Sequence, residues 1–314
     1  MRDTIVTVFG GTGFVGRHII RRLAAQGATI RVPTRTPERA VFLKPMGDIG
    51  QIVIERFDAG RDGAVEAMVD GASHVVSLAG ILFERRRGDF AAVQARLPGR
   101  IATAAAARGI TRMVHVSAIG ADPASPSAYA RTKAEGEAAV LAALPTATIL
   151  RPSIIFGPED SFFNRFAAMA RLSPALPLIG GGRTRFQPVY VGDVAAAAMA
   201  GLFAPDTTGR TYELGGPRVC TFRELLAYML GVMQRRRWLV DLPWGVAKLQ
   251  ASLAELLPEP PLTRDQIELL RRDNVVTPGA AGLAELGIAP TPMELVVPAY
   301  LGRYVRRAGP VPFA

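Results

Sequence analysis

A glycine-rich turn near the start of the chain constrains the fold more than any other feature. Gly10, Gly13 and Gly16 follow the β-branched run Thr4–Phe9 and open the helical pattern Phe14–Gln26. Glycines at this spacing let the backbone turn tightly and approach a pyrophosphate, whose charge the free N–H groups of the helix N-terminus stabilise. The sequence therefore predicts a dinucleotide-binding Rossmann unit at the start of the chain.

Strand and helix patterns alternate through the first half, which predicts an α/β fold with a doubly wound parallel sheet. The alternation continues up to the strand-like segment Thr146–Leu150. Beyond Pro152, Pro and Gly become frequent and helical patterns dominate, with one short strand-like piece at Arg210–Leu214. We therefore expect a Rossmann domain over residues 1–152 and a smaller, mostly helical C-terminal lobe over residues 153–314, partly interleaved with it.

The composition is that of a globular protein with a basic surface. Of the 314 residues, 49% are hydrophobic, and the net charge is +10, carried almost entirely by arginine. This balance favours anionic partners such as a phosphorylated cofactor, phospholipid headgroups or an acidic protein. The arginines are dispersed and no nucleic-acid motif accompanies them, so we expect no nucleic-acid binding.

Cysteine use and the N-terminus indicate the compartment. The single Cys220 excludes an internal disulfide and fits a reducing environment. No stretch approaches the ~20 apolar residues of a membrane span. Met1-Arg2-Asp3 leads directly into the first strand without a targeting pattern, so we expect an unprocessed cytosolic chain.

The end of the second strand indicates which dinucleotide is bound. An Asp or Glu usually holds the ribose hydroxyls of NAD at this place. Here the strand ends in Arg35, with Arg39 one turn later, and a guanidinium can bind a ribose phosphate in a bidentate manner. We therefore predict NADPH rather than NADH. Asp58, after the third strand, is a candidate adenine contact, and Leu78-Ala79-Gly80, after the fourth, a candidate contact of the nicotinamide ribose.

Tyr129 and Lys133 are four residues apart at the start of a predicted helix and so share one face. Ser117 ends the preceding strand. In short-chain dehydrogenases, which this arrangement resembles, a nearby ammonium lowers the tyrosine pKa, the phenol acts as acid or base, and the lysine holds the nicotinamide ribose. We therefore expect Ser117, Tyr129 and Lys133 to be the candidate catalytic residues and to contact the cofactor.

Two further features have mainly structural interpretations. His18, His74 and His115 have no carboxylate or cysteine at metal-ligand spacing, so we expect no metal. The predicted helix has an apolar stripe that favours packing in the core, and the stripe consists of Trp244, Val246, Leu249, Leu253 and Leu256. Docking of this stripe on a membrane surface or a partner is the alternative.

Several longer stretches resemble the extended short-chain dehydrogenase superfamily. Within it, the chain is most similar to the NADPH-binding accessory subunit of respiratory complex I, the alpha-subcomplex subunit 9 family, and its bacterial relatives. The likeness covers roughly residues 4 to 230. It is carried by Val8–Gly16, His115–Ala118, Ser127–Glu137, Leu150–Asp160, Phe163–Phe166 and Gln187–Ala195.

The resemblance implies a nucleotide site and a location. The partners would be complex I peripheral-arm subunits near the membrane, together with phospholipid headgroups, and the chain would lie peripherally on the cytoplasmic face of the bacterial inner membrane. The implied cofactor contacts are Gly10, Thr12, Gly13, Phe14, Val15, Gly16, Arg35, Arg39, Asp58, Leu78, Ala79, Gly80, Ser117, Tyr129, Lys133, Pro152 and Ile155.

One departure bears on activity. Sugar-nucleotide epimerases of this superfamily carry a run of hydroxyl residues after the fifth strand, whereas this chain has Ser117 followed by Ala118 and Ile119. The first interpretation is therefore an accessory or assembly subunit of NADH:quinone oxidoreductase whose NADPH is structural. The alternative is an active NADPH-dependent reductase or a sugar-nucleotide epimerase or dehydratase. A redox sensor that reports the NADPH level to a partner is the third.

Overall fold

The computed structural model describes residues 4–258 and 260–305. Residues 1–3, 259 and 306–314 of the two predicted domains lie outside this description. The first half alternates strands and helices as the sequence predicts. Its elements are β1 (Ile5–Phe9), α1 (Phe14–Ala25), β2 (Thr29–Thr34), α2 (Pro37–Ala40), β3 (Ile52–Arg56), α3 (Ala64–Val69), β4 (His74–Ser77), α4 (Leu97–Ala107), β5 (Arg112–Val116), α5 (Ala128–Ala143) and β6 (Thr148–Pro152).

The second half contains more strands than the sequence pattern suggests. Its elements are β7 (Ile155–Phe156), α6 (Phe162–Leu172), β8 (Ala175–Ile179), β9 (Arg185–Phe186), β10 (Val189–Tyr190), α7 (Val191–Phe203), β11 (Thr211–Leu214), β12 (Cys220–Thr221), α8 (Phe222–Val232), β13 (Trp238–Leu242), α9 (Trp244–Ala254), α10 (Arg264–Leu270) and α11 (Met293–Leu301).

The central sheet has seven parallel strands in the order β11-β6-β5-β4-β1-β2-β3. The α1 and α7 helices cover one face, where Ile20 and Val194 join one core cluster. The other face is covered by α3, α4 and α5, where Ile101 and Val140 join a second cluster. This doubly wound arrangement confirms the predicted fold class. The chain order reverses between β1 and β4, so their carboxyl ends form the crevice in which such sheets bind ligands.

The segments after Pro152 divide between the sheet and a smaller lobe. The strand-like piece near residue 211 does not belong to the lobe, because β11 pairs with β6 and extends the central sheet. The lobe has its own core of aromatic and aliphatic side chains, including Phe163, Phe222 and Met229. Within it β8 and β13 form a parallel pair, which the Pro- and Gly-rich sequence there did not indicate.

A π-helical segment, Ala91–Arg96, runs directly into α4. Pro98 has no N–H to donate to the carbonyl of Gln94, so regular α-helical bonding cannot continue through this point. The Gln94 carbonyl lies against α5, where a Cβ on Gly136 would be 2.0 Å from its oxygen. The close approach brings Gln94 beside the helix that carries Tyr129 and Lys133.

The stripe on α9 is exposed from Val246 to Leu256, so the prediction that it packs in the core was wrong for these residues, whereas Trp244 does pack against the cluster around Ile267. Leu249 and Leu253 are 65% and 63% exposed, and only the small Ala247 and Ala251 on the other side are buried. The physical reason is the partner that α9 finds. Its inner face packs on Ile179 and on Ile267 of α10, so the large leucines are left on the outside.

Candidate functional site

The glycine loop joins β1 to α1 at the switch point of the sheet. Gly10 has a φ of +80°, a conformation that favours glycine. A Cβ on Gly16 would lie 2.6 Å from the Gly10 oxygen, which allows the first turn of α1 to pack directly on the loop. The predicted contacts Gly10, Gly13 and Gly16 therefore form one tight cradle, and Thr12 lies in the same loop.

The N-terminus of α1 is open to an anion. Its N-cap is Gly13, which provides no side-chain hydrogen bond, and the first turn contains no acidic residue. Backbone N–H groups and the helix dipole therefore point into the crevice, where they suit a phosphate. Val15 packs against the core below the loop. Phe14 extends toward Gly157, where a Cβ would be 3.2 Å from its ring.

The end of β2 carries two exposed guanidinium groups. Arg35 and Arg39 are both exposed, and neither side chain has a hydrogen-bond or ion-pair partner among the described residues. The nearby Glu38 carboxylate is paired with Arg56 at 3.4 Å. The two arginines are thus available to an anionic group beyond the strand end.

The third and fourth strands bring their predicted residues to the same edge. The carboxylate of Asp58 accepts the Gly60 N–H at 2.9 Å and shapes the turn, while the side chain stays exposed. The Leu78 N–H donates to the carbonyl of Phe9 at 2.9 Å, which holds Leu78, Ala79 and Gly80 against the glycine loop.

Lys133 is buried beneath Gly80. Its ammonium donates to the Val116 carbonyl at 3.2 Å, and a Cβ on Gly80 would lie 3.4 Å from Nζ. Burial lowers the pKa of Lys133 to about 8, although the nearby Glu137 carboxylate opposes the shift. Any ribose that sits over Gly80 would therefore meet this amine.

The expected effect of the lysine on Tyr129 is wrong. Burial, together with the charge of Asp265, raises the pKa of Tyr129 to about 12. The Lys133 Nζ lies 5.9 Å from the centre of the tyrosine ring, and its bond goes to a backbone carbonyl instead. The phenol is consequently held in its protonated form at neutral pH.

A cluster of unpartnered polar atoms surrounds Lys133. The hydroxyl of Ser117, the Nε2 of His115 and both side-chain atoms of Gln94 are buried without a hydrogen-bond partner among the described residues. Such groups are costly unless a ligand or water satisfies them. Burial lowers the pKa of His115 to about 3, so its ring is neutral. The sequence prediction missed Gln94, although an amide side chain in an apolar helical pattern was a signal.

Asp265 was also missed, because nothing in the sequence links it to a helix 136 positions away. Its carboxylate accepts bonds from the Ser127 hydroxyl at 2.8 Å, the Ala128 N–H at 2.6 Å and the Tyr129 N–H at 3.3 Å. Asp265 thus caps α5 from α10 of the smaller lobe. The site is closed on this side by a residue that lies far along the chain.

The last two predicted contacts lie at the end of β6. Pro152 accepts the Ile119 N–H at 3.0 Å, and Ile155 begins β7. Between them the Ser153 hydroxyl is 2.7 Å from Oδ1 of Asn274, which ties the segment after α10 to the sheet edge. Pro152 and Ile155 therefore lie at the carboxyl end of β6.

This arrangement fits a dinucleotide on three observations: the glycine cradle, the open helix N-terminus and the unsatisfied atoms around Lys133. A phenol, an amine and an amide lie near one another, beside a loop that suits a phosphate. Among the described residues, no group of three or more His, Cys, Asp or Glu side chains could hold a metal ion.

The fold and the site define a class. The chain belongs to the NAD dependent epimerase/dehydratase family, whose model matches residues 6–215. It also resembles the solved structure of NADPH-dependent quinone oxidoreductase QOR2 from Escherichia coli in complex with NADPH. The TM-score is 0.74 at 20% identity, over 95% of this chain and 99% of that one, which shows a shared fold.

Relatives narrow the class further. The chain is 38% identical to NADH dehydrogenase (ubiquinone) 1 alpha subcomplex subunit 9, mitochondrial, of Arabidopsis thaliana, over 98% of this chain and 79% of that protein. It is 36% identical to the protein of the same name from Mus musculus, over 93% of this chain and 78% of that protein. These relatives are complex I subunits, and they confirm the resemblance predicted from the sequence.

Proposed function

We propose that this chain is an accessory subunit of NADH:quinone oxidoreductase, complex I, and that it holds NADPH as a structural group. The observation that carries the first part is the likeness to complex I subunits along nearly the whole chain. In this proposal the accessory subunit offers the catalytic subunits of complex I a stable surface to bind. A nucleotide that binds only the folded chain stabilises that fold by mass action.

The choice of NADPH is supported by Arg35 and Arg39. Both guanidiniums are exposed and unpaired among the described residues, at the place where a 2′-phosphate extends from the adenosine ribose. The cradle from Gly10 to Gly16, with Thr12, Phe14 and Val15, would receive the pyrophosphate. Asp58 would lie near the adenine.

Two features support a structural role for the nucleotide. The three residues directly after β5 offer one hydroxyl, that of Ser117, where epimerases of the superfamily have several. The amine of Lys133 is bonded to a backbone carbonyl. In this proposal Lys133 and Gln94 hold the nicotinamide ribose over Gly80, and Pro152 and Ile155 contact the nicotinamide.

We place the subunit on the peripheral arm, close to the cytoplasmic face of a bacterial inner membrane. The basic balance of +10 suits an anionic surface. The described part of the chain includes no helix long and apolar enough to span a bilayer. Contact with the membrane would therefore be peripheral.

The cofactor choice is tested by Arg35→Asp. Fluorescence titration should show NADPH affinity reduced about 10- to 100-fold, because one charge-assisted pair is lost and a repulsive charge is added. NADH affinity should stay within about twofold. Arg210→Asp, an exposed arginine at the far edge of the sheet, is the matched control. Equal affinity of wild type and Arg35→Asp for NADPH would contradict the assignment.

The subunit role is tested in the native host. Membranes are solubilised in mild detergent and separated on a native gel stained for NADH dehydrogenase activity. We expect this chain in the active band. A chain found only in the soluble fraction would overturn the subunit assignment.

The presence of both Tyr129 and Lys133 supports a second candidate. This candidate is an active NADPH-dependent reductase or a sugar-nucleotide epimerase or dehydratase. The nucleotide would supply hydride. Tyr129 would donate its phenolic proton to the substrate carbonyl oxygen, and Lys133 would hold the ribose. Turnover of a carbonyl or sugar-nucleotide substrate that Tyr129→Phe abolishes would establish this candidate. Unchanged assembly and NADPH binding in Tyr129→Phe, without turnover in wild type, favours the structural role.

A further inference from the structure

The stretch from Arg235 to Leu257 exposes large apolar side chains to an unusual degree. They begin on β13 and continue along α9, with exposed fractions between 45% and 82%. Single exposed hydrophobics need no explanation, but a run of them on consecutive elements marks an interaction site. The set consists of Trp238, Val240, Val246, Leu249, Leu253, Leu256 and Leu257.

The pattern on α9 is that of a helix with two apolar faces. The inner face carries the buried Ala247 and Ala251, which let the helix lie close to α10. The outer face carries Val246, Leu249 and Leu253 in a single stripe, because residues three and four apart lie on one side of a helix. The large side chains thus point away from the core.

A basic cavity lies at the start of the same stretch. It has a volume of about 570 Å³. Its arginines bond to backbone carbonyls: Arg235 to Tyr304 at 3.3 Å, and Arg237 to Ala170 at 2.8 Å. These bonds fix the side chains but leave their charges unneutralised. The lining consists of Pro174, Ala227, Leu230, Gly231, Arg235, Arg236, Arg237, Trp238 and Leu239, with no carboxylate among the described residues.

Three of the described carboxylates on these elements form ion pairs. Glu268 accepts from Lys248 at 3.3 Å, and Glu255 accepts from Arg264 at 2.8 Å. On β13, Asp241 is bonded to Arg223. The three arginines of the cavity, by contrast, form no ion pair with a carboxylate among the described residues.

We propose that the three arginines and the outer faces of β13 and α9, together termed the basic-apolar surface, dock on a membrane that contains anionic phospholipids. The cavity would take a headgroup phosphate. The stripe of α9 would lie in the plane of the interface with its leucines among the acyl chains, and Trp238 would sit at the level of the headgroups. At about 1.5 Å per residue, α9 is long enough to lie in the interface but too short to cross it.

Charge decides between a membrane and a second copy of the chain. A symmetric dimer would bring this surface against itself, and among the described residues the lining of the basic cavity offers no carboxylate to the arginines of the other copy. An anionic bilayer supplies phosphate together with apolar depth, and this surface carries both basic and apolar groups. Anionic headgroups attract basic residues near the surface.

The proposal is tested by flotation of the isolated chain with vesicles. Vesicles of phosphatidylcholine with a third phosphatidylglycerol are compared with vesicles of phosphatidylcholine alone. Wild type should bind the anionic vesicles at least about tenfold more strongly. The double variant Leu249→Ser/Leu253→Ser should lose at least about 90% of this binding, since both side chains would enter the acyl region. Arg236→Ala should weaken it about fivefold.

Matched variants outside the surface distinguish binding through this surface from non-specific binding to vesicles. Ile49→Ser removes an exposed apolar side chain from the Rossmann domain, and Arg210→Ala removes an exposed charge there. Both should bind anionic vesicles as wild type does. Millimolar inorganic phosphate should not release the bound protein, because the apolar stripe contributes most of the affinity.

Other outcomes would overturn the proposal. Equal binding to both vesicle types would remove the role of the arginines. A concentration-dependent dimer that Leu249→Ser/Leu253→Ser abolishes, without vesicle binding, would make the surface an interface between copies. Loss of vesicle binding in Ile49→Ser or Arg210→Ala to the same degree would show that the surface is not the site.

This inference rests on the peripheral membrane position proposed above, but its assay requires neither NADPH nor complex I. The two can therefore fail separately. Vesicle binding without association with complex I would contradict the subunit role and leave the basic-apolar surface standing. Association with complex I by a chain that binds no anionic vesicles would do the reverse.

Discussion

The carboxyl edge of the sheet around Gly80 and Lys133, termed the nucleotide edge, and the basic-apolar surface show opposite departures from the usual burial of apolar and exposure of polar groups. Around Lys133, polar atoms of Gln94, His115 and Ser117 are buried without partners. Along α9, leucines are exposed to water. Each departure costs stability in the isolated chain, and each would be relieved by a binding partner: a polar ligand at the first, an apolar interface at the second. Mismatches of this kind are expected at functional sites.

The first prediction has the largest expected effect, and it compares the stability cost of a substitution on the buried face of the α9–α10 pair with that of one on the exposed face. Ile267→Ala should lower the free energy of unfolding by about 3 kcal/mol, because Ile267 is fully buried against Ala247 and Ala251. Leu253→Ala, on the outer face, should change it by less than about 0.5 kcal/mol. Urea unfolding of both variants measures the difference. A Leu253→Ala cost as large as that of Ile267→Ala would mean that the stripe is packed in solution and is not a free surface.

A second prediction concerns the loop at the nucleotide edge. Gly16→Ala should destabilise the chain by about 2 kcal/mol, because its Cβ would meet backbone atoms of the loop at 2.6 Å. NADPH affinity should fall at least about 100-fold, since the cradle must open to relieve the clash. Calorimetric titration and thermal unfolding measure the two effects.

Gly245→Ala on α9 is the control for this substitution, since a Cβ there meets nothing within 4 Å. It should leave NADPH binding unchanged and should not lower stability. If Gly16→Ala behaved like Gly245→Ala, the close packing of the loop would not matter for binding.

The sequence predicted only part of the site around Lys133, for a physical reason. Gly10, Gly16, Tyr129 and Lys133 act through neighbours close in sequence or through strand ends that a parallel sheet must bring together. Their placement follows from the fold class alone. Asp265 reaches α5 from another lobe, and no local pattern encodes that contact.

The same limit explains the error on α9. A stripe of leucines at helical spacing is identical whether it faces a core or a bilayer, because periodicity reports only that one side is apolar. What decides is the partner on the opposite side. Small residues at Ala247 and Ala251 let α10 fill the inner face, and Ile267 completes it. That choice depends on packing between helices and could be seen only in three dimensions.

A third prediction uses pH to probe the buried polar cluster. The pKa of His115 is lowered from 6.5 to about 3 in the folded chain, so the unfolded chain binds the proton first as pH falls. Stability should therefore fall by about 2 kcal/mol between pH 7 and pH 5 from this group alone. Urea unfolding of nucleotide-free protein at both pH values should show this loss in wild type and a smaller loss in His115→Gln. His74→Gln, at a half-buried histidine, should change the loss less than His115→Gln does. Equal pH dependence in wild type and His115→Gln would show that the pKa of His115 is not lowered in the folded chain.

The smallest expected effect tests whether the two regions communicate. Asp265 lies on α10, which packs under the exposed helix α9, and its carboxylate caps the helix that begins with Ala128 and Tyr129. Asp265→Asn should cost about 1 kcal/mol, since a charged acceptor at a helix N-terminus becomes neutral. It should also lower the pKa of Tyr129, because the Asp265 charge is one of the two causes that raise it. A carbon-13 shift titration of labelled tyrosine, assigned with Tyr129→Phe, measures the change.

Ser127→Ala removes one of the bonds to Asp265 but keeps its charge, so it should weaken the helix cap and leave the Tyr129 pKa raised. A Tyr129 pKa that moves in Ser127→Ala and stays unmoved in Asp265→Asn would mean that α10 acts on the nucleotide edge through geometry and not through charge.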